Sequence, residues 1–543
     1  MKLHLTQRRF FIVLTLILIL VYLPVLSSYR LVNPDAAVIF PNLSGFNNIQ
    51  QYLTGLLNHR TIDFQPLRDL SFYVDVYFFN QFKINTIVLQ NLIWWISSLL
   101  CILKIIRHTL KDKFDQETLY LLVIAFAVYP LFLHTVSWGV ARKHLMAFFF
   151  ALVAISSYMK ENEQQRRFFF KSSFYYFLSI LSQPITILMP FWFIITDLFH
   201  GRKIYDSIKK NVISLFVFFA MTIVNFNYYN HSKSFSYIYN SKTEESFNFA
   251  DKLLAIGHYH LQIFFPYKFS FFYDLGDFRV IIGLVLLSFL LLIFYYRKLP
   301  FKDFFYWPSF GYLTLIIVLN TPQMLYDTYL LIFGFSFFLV LIEQIPQRLE
   351  IKLKFILIFL ISFWSLFSWN ESFFWLNRIN FAKMSFNRTP HCRSAINLLN
   401  ISYFEGIMPE KDLKDFISLH ECVLDKKQTQ GVHAMRINLI AHVLFYEDHY
   451  PLNERINGLK GLAKNNLEPH LVLAALYLKS NDELEAKKAI NQIISSLPIF
   501  EKPDERYHFI TANYILPYCQ KIMWKECLDI ARPLSVKKNT PYF

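Results

Sequence analysis

The chain has 543 residues, of which 55% are hydrophobic, 19% are aromatic and only 17% are charged. Soluble domains carry about a quarter charged residues, so this composition argues against a soluble enzyme, and its hydrophobicity excludes a disordered chain. The net charge of +15 first suggests a nucleic-acid-binding protein. The five cysteines form no CxxC pair, so the sequence predicts no zinc site.

Apolar runs of about 20 residues, the length that crosses a bilayer core, recur through the first 369 residues. They predict an all-α polytopic membrane protein with about eleven transmembrane helices. The stretch 172–199 is too long for one upright helix and carries Pro184 and Pro190, so two short helices meeting near 182–184 are predicted. The other predicted spans lie near residues 10–29, 86–106, 118–136, 144–159, 211–228, 279–296, 303–320, 324–343 and 353–369.

The placement of lysine and arginine predicts the orientation of these helices. If the N-terminus lies in the cytoplasm and the helices are threaded alternately, every dense basic cluster falls on the cytoplasmic side. The segments 30–85 and 229–278, the loop near 137–143 and the whole of 370–543 are then extracytoplasmic, in a periplasm or lumen. The basic clusters on the cytoplasmic side lie at 104–113, 160–171, 202–210, 297–302 and 348–354.

The charge also differs between the two predicted domains, 1–369 and 370–543. The C-terminal domain has 22 Lys and Arg against 19 Asp and Glu, so it contributes +3 of the net +15. The remaining +12 lies in the membrane domain, mostly in its cytoplasmic loops. The basic balance therefore indicates membrane topology, and no nucleic-acid partner is predicted.

The C-terminal domain is predicted to consist of paired amphipathic helices, in the manner of tetratricopeptide repeats. Segment 469–498 contains an Ala- and Leu-rich helix, a Ser-Asn-Asp turn at 480–482 and a second helix that ends at Pro498. Similar segments end at Pro469 and Pro533, and these spacings of 29 and 35 residues bracket the tetratricopeptide period of about 34. An unrelated helical bundle is the alternative.

The first extracytoplasmic segment places a carboxylate, Asp35, shortly after the first membrane helix. At the lip of the membrane, under an interfacial helix, this carboxylate is suited to accept a proton from an incoming hydroxyl. A solvated loop carboxylate is the alternative. The interfacial helix is indicated by apolar residues at helical spacing, namely Ile49, Tyr52, Leu53, Leu56 and Leu57.

The short loop after residue 136 carries two cations and a histidine, Arg142, Lys143 and His144, on the side where positive charge is otherwise sparse. An arginine offers bidentate donors and a lysine offers a point charge, which favours a phosphate-binding site. Snorkelling of the long side chains, or contact with lipid headgroups, is the alternative.

Seven blocks of the chain stand out in order: Asp35 to Asn42, FQPLRDLSFYVD (64–75), YPLFLHTVSWGVARKHLMA (129–147), LSQPITILMP (181–190), FFPYKFSFFYD (264–274), MLYDTY (324–329) and WNESFFWLNR (369–378). Together they resemble the transmembrane and tetratricopeptide-repeat O-mannosyltransferase-like family of the GT-C glycosyltransferase superfamily, over nearly the whole chain. Each block alone is of low specificity, and the order and spacing carry the resemblance. Several family positions differ here, because Pro34 replaces the first acid of an acidic pair and Gln65 replaces an arginine.

The resemblance implies a membrane enzyme that transfers a sugar from a polyprenyl-phosphate donor to a hydroxyl of a protein or glycan acceptor on the extracytoplasmic side. It implies Asp35 as general base, and Arg142 with Lys143 or His144 as the donor-phosphate site. No metal and no cofactor beyond the lipid-linked sugar are expected, since the sequence has no P-loop and no Rossmann glycine pattern. Further candidates for the acceptor or donor loops are Arg68, Asp75, His134 and Asp274.

Two other functions compete with this prediction. A multispan transporter would carry charged residues or Gly/Pro breaks deep inside its helices, whereas the predicted spans are nearly free of charge. A catalytically inactive membrane scaffold that presents a helical-repeat, protein-binding domain is the alternative function, because several charged family positions are replaced. The C-terminal cysteines would lie in an oxidising space with their pairing open, Cys519 and Cys527 being closest in sequence.

Overall fold

The computed structural model of the chain is all-helical in the residues that it describes. The chain divides into two compact units, a first unit of residues 1–389 and a second unit of residues 390–541. The division falls later than the predicted boundary at 369, because the helices that follow residue 369 pack within the first unit. The described residues are 6–27, 50–51, 53–54, 64–82, 86–110, 112–165, 168–231, 249–264, 266, 283–285, 288, 301–319, 329–376, 378–388, 451–463, 467–496 and 515–535.

Helices α1 to α15 form the described part of the first unit. Their lengths differ widely, because prolines and polar turns interrupt several of the apolar runs. The bounds are α1 Gln7–Leu26, α2 Pro66–Phe82, α3 Ile87–Leu110, α4 Gln116–Ala127, α5 Leu133–Ser137, α6 Arg142–Glu163, α7 Phe170–Ser182, α8 Met189–Phe199, α9 Ile204–Lys210, α10 Val212–His231, α11 Phe249–Phe264, α12 Phe301–Leu319, α13 Leu330–Gln344, α14 Glu350–Ser372 and α15 Arg378–Arg388.

Four helical segments of the described chain are long and apolar enough to cross a membrane, and two bent helix pairs raise that number to six. Several other predicted spans form shorter apolar helices, and the run 279–296 lies largely outside the described residues. The four long segments are Gln7–Leu26, Ile87–Leu110, Gly139–Glu163 and Gln347–Leu376, and the bent pairs are Gln116–Ala127 with Pro130–Ser137 and Ile204–Lys210 with Val212–Tyr228.

Large apolar side chains on α14 face outward. Ile351, Phe355, Phe359 and Leu366 are 73%, 69%, 67% and 65% exposed. Their spacing of four and seven residues puts them on one face of the helix. A contiguous apolar face of this kind is unfavourable in water and favourable in lipid. This helix is therefore compatible with a membrane environment.

The predicted break near 182–184 is confirmed. α7 ends at Ser182 and α8 begins at Met189, with Gln183 extended (φ −162°, ψ 127°) and a 3₁₀ turn over Pro184–Thr186. Because proline lacks a backbone N–H and disfavours helical geometry in the preceding residue, the apolar run cannot continue as one helix. With 13 and 11 residues, α7 and α8 are about 20 and 17 Å long.

Contacts join four of the predicted basic clusters, which groups these clusters at one end of the first unit. His108 Nδ1 lies 3.6 Å from a Glu163 oxygen, which links the clusters 104–113 and 160–171. The Phe169 N–H donates to the Lys210 carbonyl over 3.3 Å, which adds the cluster 202–210. Finally, the Lys354 ammonium lies 2.5 Å from an Asp115 oxygen, which brings in 348–354.

The second unit contains helices α16 Leu452–Ala463, α17 Leu467–Lys479, α18 Glu483–Ser496, α19 Leu516–Lys521 and α20 Lys525–Ser535 among its described residues. The predicted turn between α17 and α18 is confirmed: Asn481 takes a positive φ of 60°, and the Asp482 carboxylate accepts from the Glu485 N–H over 3.1 Å. The predicted helix end at Pro469 is wrong. Pro469 lies in the first turn of α17, where a missing N–H costs no helical hydrogen bond.

Cys519 of α19 and Cys527 of α20 are joined by a disulfide, with their Cα atoms 5.7 Å apart. Both cysteines are buried in a core shared with α17 and α18. The bridge therefore fixes the short connection between α19 and α20 against the rest of this core. Disulfides persist mainly in oxidising compartments.

Gly311 gives a first prediction about packing. A Cβ at this position of α12 would lie 2.8 Å from Cδ2 and 3.2 Å from Cα of Phe333 in α13. We expect Gly311→Ala to lower the free energy of unfolding by about 1–3 kcal/mol, since α13 must move to admit the methyl group. Thermal unfolding of the purified protein in detergent measures the change. Leu341→Ala, on the exposed side of α13, is the control, and an equal effect of both variants would contradict the prediction.

The disulfide gives a second prediction. Trypsin cleaves after Lys521 and Lys525, so it places Cys519 and Cys527 on separate peptides, 507–521 and 526–537. A digest of alkylated, unreduced protein from native membranes should contain these two peptides linked, and reduction should release them. Mass spectrometry distinguishes the two forms. Recovery of only the separate, alkylated peptides before reduction would show that the bridge does not form in the cell.

Candidate functional site

Helix α2 buries charged side chains and exposes apolar ones, the reverse of an amphipathic helix on a soluble protein. Arg68, Asp69 and Asp75 are 3%, 1% and 1% exposed, whereas Tyr77 and Phe82 are 55% and 59% exposed. Charged groups inside a membrane protein face its interior and pair with one another. The buried face of α2 is therefore a candidate polar site.

Asp75 and Arg142, at the start of α6, form a buried ion pair with Nη1 and Oδ2 2.5 Å apart. The Asp75 carboxylate also accepts hydrogen bonds from the Thr86 hydroxyl and from Gln90 Nε2, the latter over 2.6 Å. The guanidinium carbon lies 4.7 Å from the centroid of the Phe72 ring, a cation–π distance. The structure thus brings together two predicted site residues that belong to separate blocks of the sequence.

Three further hydrogen bonds of Arg142 also stay within the protein. Nε donates to Asn91 Oδ1 over 3.0 Å, Nη2 donates to the Ile87 carbonyl over 2.9 Å, and Nη1 donates to the Ser71 carbonyl over 3.1 Å. The side chain has no exposed surface. The guanidinium that we predicted to face a donor phosphate is therefore enclosed by protein groups.

Asn91 of α3 is a member of this site that the sequence analysis missed. Its side-chain amide donates to the carbonyls of Val136 and Trp138, each over 3.0 Å, while its oxygen accepts from Arg142. It therefore ties the loop before α6 to the ion pair. A lone asparagine inside the apolar run 86–106 was the available signal, since a polar group buried among apolar ones needs a partner.

Burial raises the pKa of the Asp75 carboxyl above its ordinary value, while the Arg142 charge and the Thr86 hydroxyl act in the opposite direction. The carboxylate therefore relies on Arg142 to remain ionised. Without that guanidinium, proton uptake by Asp75 would relieve the cost of an unpaired buried charge.

Arg68 and Gln65 extend the polar face of α2. Arg68 Nε donates to Asp69 Oδ1 over 2.6 Å, and Nη1 donates to Gln65 Oε1 over 3.0 Å. All three side chains are buried. Gln65, which stands where the resembled family has an arginine, thus serves here as an acceptor for the neighbouring Arg68.

The predicted histidines lie in aromatic surroundings. The His134 ring lies edge-on to Trp375, with centroids 5.3 Å apart, and 6.2 Å from the Phe381 ring. The His144 ring lies edge-on to Tyr329 at 5.2 Å. Both imidazoles are buried, whereas Lys143 between Arg142 and His144 is half-buried. Neither ring is among the contacts of the Asp75–Arg142 pair described above.

The block 369–378 is held by a second ion pair. Arg388 donates to both oxygens of Glu371, over 2.6 and 2.7 Å, and its guanidinium lies 5.0 Å from the Phe374 ring. Fork-to-fork pairs of this kind fix orientation as well as charge. The pair therefore folds α15 back onto the end of α14, where Trp375 contacts His134.

Asp35 and Asp274 lie outside the described residues, and of the predicted interfacial helix at 49–57 only residues 50–51 and 53–54, which are helical, are described. Within the described part of the chain, no group of three metal-ligating side chains comes together. His260 uses both ring nitrogens within the protein: they lie 2.7 Å from the Ile256 carbonyl and 2.9 Å from the Tyr312 hydroxyl.

Comparison with known proteins finds no relative of the chain: no protein family, curated protein or solved structure matches it. The resemblance to the GT-C superfamily therefore rests on the sequence blocks and their order. Membership of that superfamily is therefore a proposal.

The ion pair gives a third prediction. Asp75→Asn should lower the free energy of unfolding by about 3–5 kcal/mol, because it leaves the Arg142 guanidinium buried without its counter-charge. Thermal unfolding in detergent and resistance to protease report the change. Asp112→Asn, which removes an exposed carboxylate, is the matched control and should change stability little.

A double-mutant cycle tests whether the two residues act on each other. Arg142→Gln combined with Asp75→Asn should be less destabilising than the sum of the two single changes, since no unpaired charge remains. Additive effects would show that the pair has no mutual stabilisation.

Proposed function

We propose that the chain is an integral membrane glycosyltransferase of the GT-C type, which transfers a sugar from a polyprenyl-phosphate donor to an acceptor hydroxyl. The observation that carries the proposal is the Asp75–Arg142 ion pair, because it joins the blocks 64–75 and 129–147 that resemble this superfamily. The pair lies where α3 and α6 begin, at the opposite end of these helices from the basic clusters.

The proposed mechanism uses general-base catalysis and charge stabilisation. Asp35 takes the proton of the acceptor hydroxyl as its oxygen attacks C1 of the sugar, and the C1–phosphate bond breaks with inversion. A nearby cation stabilises the departing phosphate. Because Arg142 is enclosed, we assign the direct phosphate contact to Lys143, with His144 beside it, and give Arg142 the positioning of α2 against α6. Arg68, His134 and Asp274 remain candidates for shaping the substrate site.

For the topology, we propose that the basic end of the first unit faces the cytoplasm and that the second unit lies in a periplasm or lumen. The grouping of the basic clusters at one end supports this orientation. The Cys519–Cys527 disulfide independently supports an oxidising compartment for the second unit. Its helical hairpins, proposed to be tetratricopeptide-like, suit the binding of a protein or glycan acceptor.

A catalytically inactive scaffold is the second candidate function. The enclosure of Arg142 favours it, because a guanidinium with no exposed surface is not accessible to a substrate phosphate. Pro34, which stands where the resembled family has the first acid of its acidic pair, also favours an inactive scaffold. Under this alternative, the second unit presents its helices to partner proteins without any transfer reaction.

The fourth prediction separates these two functions. We expect Asp35→Asn to lower sugar transfer by about 100-fold or more, the usual contribution of a positioned general base. Glycan and glycoprotein profiles of cells carrying this variant should match those of cells lacking the protein. Asp63→Asn, in the same extracytoplasmic segment, is the control and should give the wild-type profile. Equal abundance of both variants in the membrane fraction excludes a folding defect.

A scaffold gives a different pattern. In that case cells lacking the protein would show a defect, while cells carrying Asp35→Asn would match wild type. That result would refute the enzymatic proposal and leave the helical-repeat domain as the functional part.

A further inference from the structure

The second unit contains a pocket of about 550 Å³. Pockets that bind small molecules have volumes of roughly 300–1,000 Å³, so this pocket is large enough for such a ligand. Two stretches of chain line it. One is the start of α18, which contributes Glu483 and Lys487. The other runs from the end of α19 to the start of α20 and contributes residues 518 and 522–526.

The second of these stretches is held in place by covalent and hydrogen bonds of the protein itself. The Cys519–Cys527 disulfide closes it, and the Trp524 N–H donates to the Cys519 carbonyl over 3.0 Å. The Tyr518 hydroxyl donates to the Glu483 carbonyl over 3.2 Å, which joins the two stretches. A site that is already arranged loses less conformational freedom when a ligand binds.

The pocket presents an aromatic ring beside an exposed apolar side chain. Trp524 is half-buried, and Lys487 Nζ lies 5.6 Å from the centroid of its ring. Met523, the neighbouring residue, is 85% exposed and has a positive φ of 51°. Residues other than glycine rarely adopt this conformation, and backbone strain of this kind is commonest at functional sites.

Charged groups of both signs account for four of the eight lining residues. Glu483 is paired with Lys521, over 2.7 Å. Among the described residues, no carboxylate lies within ion-pair distance of Lys487 or Lys525, and no cation lies within that distance of Glu526. The lining therefore offers free ammonium donors and a free carboxylate acceptor without a strong excess of either charge.

We propose that this pocket binds a neutral saccharide, with one sugar ring against Trp524 and hydroxyls bonded to Lys487 and Glu526. A sugar ring has a face of C–H bonds that packs on the negative face of an indole, and each hydroxyl both donates and accepts. The exposed Lys487 side chain can turn from the indole to a hydroxyl. Because the lining charges are mixed, they do not select a strongly charged ligand.

The proposed saccharide site belongs to the second unit alone. An inactive scaffold could use it as well as an enzyme, so the proposal does not depend on the transfer reaction proposed above.

Saturation-transfer difference NMR of the full chain in nanodiscs tests the proposal. Nanodiscs are chosen because detergents with sugar headgroups would compete for the pocket. The probes are cellobiose, maltose, mannobiose and diacetylchitobiose, each titrated separately. We expect at least one of them to bind with a Kd of roughly 1 mM and to receive saturation most strongly at the C–H protons of one ring face.

Substitutions locate the binding in the pocket. Trp524→Ala should weaken binding of that disaccharide about tenfold, and Lys487→Gln about fivefold. Lys488→Gln is the matched control, because Lys488 is also exposed but pairs with Glu485 and does not line the pocket, and it should bind as wild type does. Trp524 packs against the core of the second unit. If Trp524→Ala unfolds this unit, the comparison of the two exposed lysines decides.

Three outcomes would overturn the proposal. Absence of saturation transfer to all four disaccharides would exclude a saccharide site. Equal affinity of Lys487→Gln and Lys488→Gln for the bound disaccharide would place the sugar elsewhere on the protein. Tighter binding of the tripeptide Glu-Phe-Glu than of any disaccharide would identify a peptide site instead.

Discussion

A carboxylate and a guanidinium removed from water recover the cost of desolvation only if their remaining polar atoms also find partners. The Asp75–Arg142 pair meets this condition through Thr86, Gln90 and Asn91 and through backbone carbonyls. These partners come from α2, the start of α3 and the start of α6. One charged cluster therefore helps to set the register of three helices.

Charged side chains have different surroundings at the two ends of α3 and α6. At the basic end, acidic side chains cap helices or pair with lysines at the surface, as Asp115 does with the Thr118 N–H and with Lys354. Burial acts to raise the pKa of Asp115, but hydrogen bonds from Lys354 and Thr118 together outweigh it and lower that pKa to about 2. At the other end, Arg68 pairs with Asp69 and Arg142 pairs with Asp75, and all four side chains are buried.

Features that local chemistry decides could be predicted from the sequence. Pro184 alone is enough to break an apolar run, and Ser-Asn-Asp at 480–482 is enough to turn a helix, so both features were predictable. Pro469 was misjudged because proline is tolerated in a first turn as well as after a helix end. The contact between Asp75 and Arg142 could not be predicted from the sequence pattern, because the two residues are far apart in the chain and only the packing of helices brings them together. Asn91, next to Gln90, was visible only as a polar residue in an apolar run, without any indication of its partner.

The reversed polarity of α2 also reverses which substitutions this helix can accept during evolution. In a lipid environment, its outward residues, such as Val74 and Tyr77, would contact acyl chains that conform to any apolar shape, so exchanges among large apolar residues there would cost little. A lysine at the same outward position would be poorly tolerated, although it is the commonest harmless change on a water-soluble helix. The inward positions, by contrast, accept only residues that can complete a charge balance. Sequence drift in this segment should therefore preserve its charges and vary its hydrophobic residues.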